Sequence, residues 1–379
     1  MRKLLVFVLL FVLFLHGAFQ NKGKRRKNAK NNSSRRYVPE PRTFKGIPNP
    51  IIQTKLDLDA TQTPNFTHSL PALQSLSDSA MGYLRGPLST QFIPVIYVMV
   101  VMVGIPVNLT ILCLLVAKVR KVFLALLYCS LAVSDLLLLL SLSVKVHYHL
   151  LGNHWVLGET ACRIVTAYFY GNLYCSALTL ACITVKRYMA VVHPFMYKSF
   201  PKMTYAVWIV VAVWAVFGAA IIPQLLVQQS FWIPDLNRTT CHDVQPLDYN
   251  SHKFLLYYNL VLTVLSLLVP LVVTVVCFIR IITELSRSHF DWAMHIKASS
   301  LVFSIFVVCF LPAGVLHFLH YVLLSVRGTE SLYVYFNLAV CLCCLHACLD
   351  PFLFFIMSRS TSSRFYFKSF KGMSLSISV

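Results

Sequence analysis

The sequence predicts an all-α integral membrane protein, a bundle of seven transmembrane helices with its N-terminus outside the cell. Of its 379 residues, 58% are hydrophobic and only 12% charged, which is too apolar for a soluble domain of this length. Seven stretches almost lack charge, and each is long enough to cross about 30 Å of hydrocarbon as a helix. Strict alternation of apolar and polar residues is rare in them, which disfavours a β-barrel.

The seven apolar stretches together define a transmembrane domain at 92–357. They are Phe92–Val116, Val122–Val144, Ile164–Val185, Ala206–Val227, Phe254–Ile279, Ala298–Leu324 and Leu332–Met357.

The N-terminal segment and the loop charges predict the orientation. Residues 1–20 place an apolar run, Leu4–Leu15, after Arg2 and Lys3, which is the layout of a secretory signal peptide. After the first apolar stretch, 14 Lys and Arg residues fall on one side of the membrane and 5 on the other. The positive-inside rule therefore places the mature N-terminus outside and the short tail, 358–379, in the cytosol.

The basic charge has a topological explanation. The formal net charge is +20, but 14 of the 33 basic residues precede the first apolar stretch and 14 face the cytosol. A lipid bilayer, and no nucleic acid, is the partner that this distribution indicates. Ten of the 12 cysteines lie in or beside the apolar stretches, whereas Cys162 and Cys241 fall on the outer side and are the predicted disulfide pair. No zinc-type Cys/His spacing occurs, so no metal site is predicted.

The segment before the first span predicts a flexible exodomain. It is rich in Asn, Ser, Thr, Pro and charge, with few apolar residues at helical spacing. N-x-Ser/Thr sequons on the predicted outer side mark four glycosylation candidates, Asn31, Asn32, Asn65 and Asn237.

Two carboxylates, Asp135 and Asp350, lie within the apolar stretches. An ionisable side chain at that depth costs several kcal/mol unless it has a partner or faces a wet interior, so both are functional candidates. Buried aspartates also serve ion pathways, which keeps a transporter or channel as an alternative of a different class. An enzyme is disfavoured, because no nucleophile–base set accompanies them and no catalytic residue is predicted.

Several polar and proline motifs occur in a fixed order across the spans. They are Gly104–Asn108, Leu131–Asp135, Lys186-Arg187-Tyr188, Trp214, Pro270, Phe306–Pro312 and Asp350–Phe354. Together they resemble the rhodopsin-like G-protein-coupled receptors. The resemblance implies a multi-pass protein of the plasma membrane that acts on a heterotrimeric G protein.

The resemblance also assigns roles to individual residues. It implies that Arg187 meets the G protein and that Pro312 kinks the sixth helix, so that its inner end can swing. In the family that the chain resembles, residues at the positions of Asp135 and Ser176 would line a sodium site; beyond that ion, no cofactor is predicted. The G-protein and switch residues that the resemblance implies are Arg187, Tyr188, Phe310, Pro312, Asp350 and Pro351.

Three positions depart from the family pattern. Lys186 stands where an acidic residue often precedes the arginine, Phe354 replaces a tyrosine, and His346-Ala347 replaces an Asn-Ser pair that would support the sodium site. These departures keep open a second function, a protease-docking cofactor or partner of another receptor with weak signalling of its own.

Strings in the outer loops and the third span narrow the resemblance. They are Gly152–Glu159, Tyr170–Ser176 and Thr240–Val244. All three resemble the protease-activated, or thrombin, receptor subfamily, and most of all its type-3 branch. The resemblance implies an extracellular trypsin-like serine protease as a partner.

The exodomain contains a candidate cleavage site. A trypsin-like protease needs a basic P1 residue, and thrombin also favours proline at P2; Pro41 and Arg42 supply that pair. Cleavage after Arg42 would release a propeptide, 21–42, and leave an exodomain, 43–91, that begins with a tethered ligand. That ligand is Thr43, Phe44, Lys45, Gly46, Ile47 and Pro48.

The outer loops supply candidate ligand-binding residues, namely Glu159, His242 and Asp243. We expect the new α-amino group and Lys45 to approach Asp243 and Glu159, and Phe44 to enter an apolar cleft near the disulfide.

Overall fold

The computed structural model describes residues 43–48, 73–116, 123–199, 202–246, 257–258, 260–286, 293–327 and 332–356. Several sequence predictions fall outside these residues: the signal peptide, the propeptide with Pro41 and Arg42, the sequons at Asn31, Asn32 and Asn65, and the cytoplasmic tail.

Within the described residues, seven helical spans are long and apolar enough to cross a membrane: Asp78–Val116, Leu124–Leu150, Gly158–Val192, Thr204–Leu226, Leu260–Ser286, Ile296–His320 and Tyr333–Ile356. The predicted seven-helix bundle is confirmed. The α-helices are α1 Asp78–Arg85, α2 Ile93–Val116, α3 Phe123–Leu150, α4 Gly158–Val192, α5 Pro194–Ser199, α6 Lys202–Leu226, α7 Val269–Ser286, α8 Ala293–Ile305, α9 Leu311–Arg327 and α10 Tyr333–Cys343. Helix resumes at 346–356 and completes the seventh span.

Some helices run past the boundaries that hydropathy predicts. The third span continues to Val192 rather than Val185, and the second to Leu150 rather than Val144. The added turns carry charged residues such as Lys145 and Arg187, which a hydropathy boundary excludes although they do not interrupt helical hydrogen bonding.

Two prolines in the spans share one local device. A π-helical turn, Phe306–Phe310, joins α8 to α9 immediately before Pro312, and another, Val264–Leu268, precedes Pro270. A proline has no N–H to donate to residue i−4, and a wider turn before it accommodates that loss. The sixth span is thus irregular where the sequence predicts a kink.

Buried polar side chains link the spans to one another. Asn108 donates to the carbonyl oxygens of Gly104 at 3.0 Å and Ala347 at 2.8 Å, which ties the first span to the seventh. The indole of Trp214 donates to Ser130 Oγ at 2.9 Å and ties the fourth span to the second. Such bonds satisfy polar groups that lipid cannot.

Among the described residues, the outer end carries five short strands and one extra helix. Strands β1 (Phe44–Pro48), β2 (Leu73–Ser75) and β5 (Val244–Pro246) form a sheet in the order β2-β1-β5, and β3 (Ser230–Ile233) pairs with β4 (Arg238–Cys241) as a hairpin. Helix α1 begins at the N-cap Ser77, whose Oγ accepts from the N–H of Ala80 at 3.2 Å.

Parts of the exodomain are therefore folded, which differs from the flexible chain that the sequence predicts for it. A short strand and a two-turn helix leave little periodicity in sequence, because most of their stability comes from packing on the bundle rather than from local propensity.

Candidate functional site

The outer hairpin is held over the bundle by the pair of cysteines that the loop positions predict. A disulfide joins Cys162, near the start of the third span, to Cys241 at the end of β4. Asn237 turns the hairpin in the left-handed region with φ of 50° and is exposed, as a glycosylation candidate must be. This arrangement positions β5, which follows directly, at the mouth of the bundle.

Strand β1, which contains the predicted ligand segment, is the central strand of the outer sheet. It pairs in parallel with β5, with Phe44 opposite Val244, and antiparallel with β2, with Ile47 opposite Ser75. The N–H of Phe44 donates to the carbonyl oxygen of Asp243 at 2.8 Å. Main-chain hydrogen bonds on both sides therefore fix the segment in register.

The side chain of Phe44 fills an aromatic pocket. Both Thr43 and Phe44 are 0% exposed. The Phe44 ring meets the edge of Tyr333 at a centroid distance of 4.3 Å and lies 5.6 Å from Tyr83. Aromatic pairs of this geometry add about 0.5–1.5 kcal/mol each to the burial itself, so Phe44 is the anchor of the segment.

Asp243 forms the polar floor beside this pocket. Its Oδ2 accepts from the hydroxyl of Tyr148 at 2.6 Å and its Oδ1 from that of Tyr333 at 2.9 Å. Because Tyr333 also contacts the Phe44 ring, one side chain joins the carboxylate to the apolar pocket. A buried carboxyl group with a donor on each oxygen is held in one orientation.

His242 shapes the loop that leads to Asp243. It lies in the left-handed region with φ of 70°, its N–H donates to the carbonyl of Gln229 at 2.8 Å, and its Nδ1 lies 2.7 Å from Gln229 Oε1. These contacts reverse the chain between β4 and β5 and so aim the neighbouring Asp243 at the pocket.

Glu159, the other expected partner of the ligand amine, contacts its own helix and the β3–β4 hairpin. Its carboxylate accepts from Arg163 Nε at 2.5 Å and from the backbone N–H groups of Gln229 and Ser230, both at 2.8 Å. The hydroxyl of Ser230 donates to it as well. The carboxylate therefore secures the start of the β3–β4 hairpin.

A second polar cluster lies at the centre of the bundle and contains Asp135, Ser176, His346 and Asp350. Ser176 Oγ donates to Asp135 Oδ1 at 3.2 Å, and His346 Nε2 lies 3.6 Å from the same oxygen. The structure thus brings together the two residues of the expected sodium site and adds a histidine. Asp135, His346 and Asp350 each offer a ligand atom, and these atoms all lie within 4.8 Å of one another.

The residues of the central cluster do not fit a sodium ion. Sodium, like other hard cations, takes oxygen ligands, but beside Ser176 the imidazole of His346 lies 3.6 Å from Asp135 Oδ1. Ala347 has no donor atom in its side chain, and its carbonyl oxygen accepts from Asn108. Two oxygen positions of the family's sodium site are therefore missing.

At the inner end, Arg187 has a tyrosine as its partner. Its Nη2 donates to the hydroxyl of Tyr128 at 3.0 Å, while its Nε and Nη1 have no hydrogen-bond partner and the residue is 4% exposed. Phe354, from the seventh span, meets the Tyr128 ring edge-on at 6.2 Å. Tyr188 instead points to His193 Nε2 at 3.0 Å.

Two further switch candidates connect the central cluster to its surroundings. The ring of Phe310, in the π-turn of the sixth span, lies 4.9 Å from His346. Pro351 lines a small cavity that also borders Asp135, Asp350 and Phe354.

Sequence reasoning missed the tyrosines that build the outer pocket. Tyr83, Tyr148 and Tyr333 come from three separate spans and meet only in the fold. The available signal was their position near the outer ends of apolar helices, where aromatic residues with one polar atom are common in any membrane protein. That signal does not distinguish a pocket from an interfacial belt.

Comparison with known proteins identifies the family. Residues 91–354 match the model of the 7 transmembrane receptor (rhodopsin family). The chain is 35% identical to human proteinase-activated receptor 3 over 94% of its own length and 97% of the relative's, and 41% identical to the receptor 3 of Bos taurus over 76% of each. It is 34% identical to proteinase-activated receptor 1 of Xenopus laevis, over 97% of its own length and 90% of the relative's.

These relatives confirm the resemblance to the type-3 branch. Members of this family are multi-pass signalling receptors of the plasma membrane and are not enzymes, and the seven apolar helices agree with that location. The chain therefore belongs to the rhodopsin family of seven-transmembrane receptors and, within it, to the proteinase-activated receptors.

Proposed function

We propose that this receptor is switched on when a serine protease cuts after Arg42 and Thr43 becomes the N-terminus of a tethered ligand. The ligand, Thr43–Pro48, binds the outer end of the same bundle, and the bundle then activates a heterotrimeric G protein. The observation that carries this proposal is the complete burial of Phe44 between Tyr83 and Tyr333.

The mode of ligand binding is strand addition. Backbone hydrogen bonds to β5 supply affinity that depends little on side chains, and the Phe44 pocket supplies specificity. Because the ligand is tethered, its effective concentration at the pocket approaches the millimolar range, so even weak binding suffices.

Activation is a shift in population between two arrangements of the bundle. The ligand needs to bind the active arrangement more tightly by a few kcal/mol, and it contacts the seventh span through Tyr333. The seventh span also carries Asp350 and Phe354, which packs on the partner of Arg187. The π-turn before Pro312 gives the sixth span a place to bend.

The sequence around the cut favours thrombin as the protease. Pro41 and Arg42 provide the P2 and P1 residues that thrombin prefers. The segment Leu56–Asp59 is the only acidic and apolar stretch after the cut that can meet a basic exosite on the protease. Because this segment has only two acidic residues, its contact with the exosite should be weak.

The test is N-terminal sequencing of the cell-surface receptor after thrombin treatment, with intracellular calcium or G-protein activation read in the same cells. We expect a new N-terminus at Thr43 together with signalling. The variant Arg42→Gln controls for cleavage elsewhere, since it should resist thrombin. With Phe44→Ala added, which removes its own Phe44 ring from the pocket, it should still respond to the free peptide Thr-Phe-Lys-Gly-Ile-Pro. Signalling by Arg42→Gln in response to thrombin would refute the assigned cut.

The inner end of the bundle favours a second candidate function, docking of a protease for a partner receptor with weak signalling of its own. Lys186 stands where an acidic residue usually precedes the arginine, and its Nζ lies 5.9 Å from the ring centroid of Tyr197. Phe354 stands where the family pattern has a tyrosine, so the hydroxyl is missing. Cleavage at Arg42 without G-protein activation in cells that lack other receptors of this family would favour this function.

A further inference from the structure

We propose that the central cluster of Asp135, His346 and Asp350 is a binding site for a divalent transition-metal ion of the zinc class. The proposal is independent of protease activation, because it concerns the middle of the bundle and is tested by metal binding. Sequence spacing alone does not reveal such a site, since Asp135 comes from the second span and the other two from the seventh.

The first argument is burial without hydrogen-bond partners. Asp135 and His346 are 0% exposed and Asp350 is 2% exposed. Asp135 Oδ2, His346 Nε2 and both carboxylate oxygens of Asp350 have no hydrogen-bond partner. Unpartnered polar atoms at this depth cost several kcal/mol, and a bound cation would give each of the three side chains a partner through one ligand atom.

The second argument is the orientation of His346. Its Nδ1 lies 2.6 Å from the backbone carbonyl oxygen of Cys343. A carbonyl oxygen only accepts, so Nδ1 carries the proton and the lone pair is on Nε2, which faces Asp135 Oδ1 at 3.6 Å. An imidazole that donates its other N–H to a backbone carbonyl is the usual arrangement of a metal-ligating histidine.

The third argument is the choice of metal. One imidazole nitrogen and two carboxylates match zinc-class ions, whereas sodium, calcium and magnesium prefer sites built from oxygen alone. A divalent charge also cancels both carboxylates, which a single sodium ion does not.

The geometry needs only a small adjustment to hold such an ion. Three ligands at about 2.1 Å from zinc lie roughly 3.4 Å apart in a tetrahedral site. The pair of His346 Nε2 and Asp135 Oδ1, at 3.6 Å, already has this separation. All ligand atoms lie within 4.8 Å of one another, so Asp350 has to approach by on the order of 1 Å. The adjoining cavity, lined by Asn108, Tyr128 and Phe354, provides room for a water as the fourth ligand.

The test uses the full-length receptor in lipid nanodiscs, freed of metal with a chelator and titrated with Zn²⁺, and with Co²⁺ as a spectroscopic probe. We expect one equivalent of Zn²⁺ to bind and to raise the unfolding temperature, and Co²⁺ to give visible ligand-field absorption. The variants His346→Asn and Asp350→Asn should each lose on the order of tenfold to 100-fold in affinity. His147→Asn, which removes an exposed histidine of the second span, should bind as the unaltered receptor does.

A second measurement on His346→Asn distinguishes loss of the metal ligand from misfolding, because it tests for a newly gained property, the binding of sodium. His346→Asn replaces the nitrogen ligand with an amide oxygen, so sodium at about 0.15 M, compared with choline, should raise its unfolding temperature but not that of the unaltered receptor. Zinc affinity that is equal in His346→Asn and the unaltered receptor would overturn the proposal. So would the absence of Zn²⁺ binding by the folded, unaltered receptor.

Discussion

The outer pocket and the central cluster both bury aspartates, but they treat the charge in opposite ways. Asp243 has a tyrosine hydroxyl on each carboxylate oxygen, at 2.6 and 2.9 Å. Asp350 has no hydrogen-bond partner on either oxygen. A carboxylate with its donors in place is a permanent part of the structure, whereas one without donors is suited to a cation that comes and goes.

The two sites differ in what they need to be complete. The outer pocket is complete within the chain itself, since the ligand segment, the floor and the walls all belong to one polypeptide. The central cluster becomes complete only with an added ion. The two sites therefore respond to different changes, and substitutions can separate them.

The largest expected effect is at the anchor of the outer pocket. Removing a buried phenylalanine side chain costs roughly 3 kcal/mol or more, so a peptide with alanine in place of Phe44 should lose about 100-fold or more in potency. The measurement is G-protein activation by synthetic peptides, compared with Thr-Phe-Lys-Gly-Ile-Pro, on a receptor that carries both Arg42→Gln and Phe44→Ala. The second change removes the receptor's own Phe44 ring from the pocket.

The matched control for the Phe44 change is the peptide Phe-Thr-Lys-Gly-Ile-Pro, in which the same side chains occupy exchanged positions. It should be inactive, because the pocket fixes the ring at the second position opposite Val244. Equal potency of the alanine peptide would mean that the pocket between Tyr83 and Tyr333 is not the ligand site.

The same substitution in the full receptor should change the rate of cleavage and the strength of signalling in opposite directions. Thr43 is 0% exposed in the uncut chain, and a protease needs the residues on both sides of its cut to be accessible. Phe44→Ala should therefore speed the cleavage after Arg42 while it weakens signalling. A slower cut in Phe44→Ala would contradict this, and N-terminal sequencing over a time course measures the rate.

The comparison also shows which features a sequence can disclose. Hydropathy is local, so the seven spans and the pairing of Cys162 with Cys241 follow from composition and topology. The pocket depends on Tyr83, Tyr148 and Tyr333, which are far apart in the chain and meet only after packing. The sequence names Glu159 as a ligand partner because it is acidic and outside, but the carboxylate is occupied by Arg163 and the β3–β4 hairpin.

The next effect is on the free energy of unfolding, and it compares a buried, hydrogen-bonded carboxylate with an exposed one. Asp243→Asn removes the charge and one of the two acceptors, which should lower the free energy of unfolding by about 2 kcal/mol because hydrogen bonds to charged groups are strong. Asp235→Asn, on the same outer loop but exposed, should change it by less than about 0.5 kcal/mol. Thermal unfolding in nanodiscs measures both.

The central cluster should behave in the opposite way when metal is removed. In chelator-treated receptor, Asp350→Asn replaces a buried carboxyl group whose oxygens have no hydrogen-bond partner in the described part of the chain, so stability should be unchanged or raised by up to about 1 kcal/mol. If it falls as far as in Asp243→Asn, then Asp350 has partners of its own and the contrast between the two sites is wrong.

The smallest expected effect concerns basal signalling and the side chain of Arg187. Among the described residues, this cation has one hydrogen-bond partner, Tyr128, and it is preceded by Lys186 where the family pattern has an acidic residue. The bond from Nη2 to the Tyr128 hydroxyl holds the guanidinium inside the bundle, and losing it costs the resting arrangement about 1 kcal/mol, or about fivefold in population. Tyr128→Phe should therefore raise basal G-protein activation severalfold without ligand, whereas Tyr335→Phe, exposed at the outer end, should leave it unchanged. Basal activation that falls in Tyr128→Phe would mean that the tyrosine hydroxyl supports the active arrangement instead, and that the resting position of Arg187 is set by packing against the second span alone.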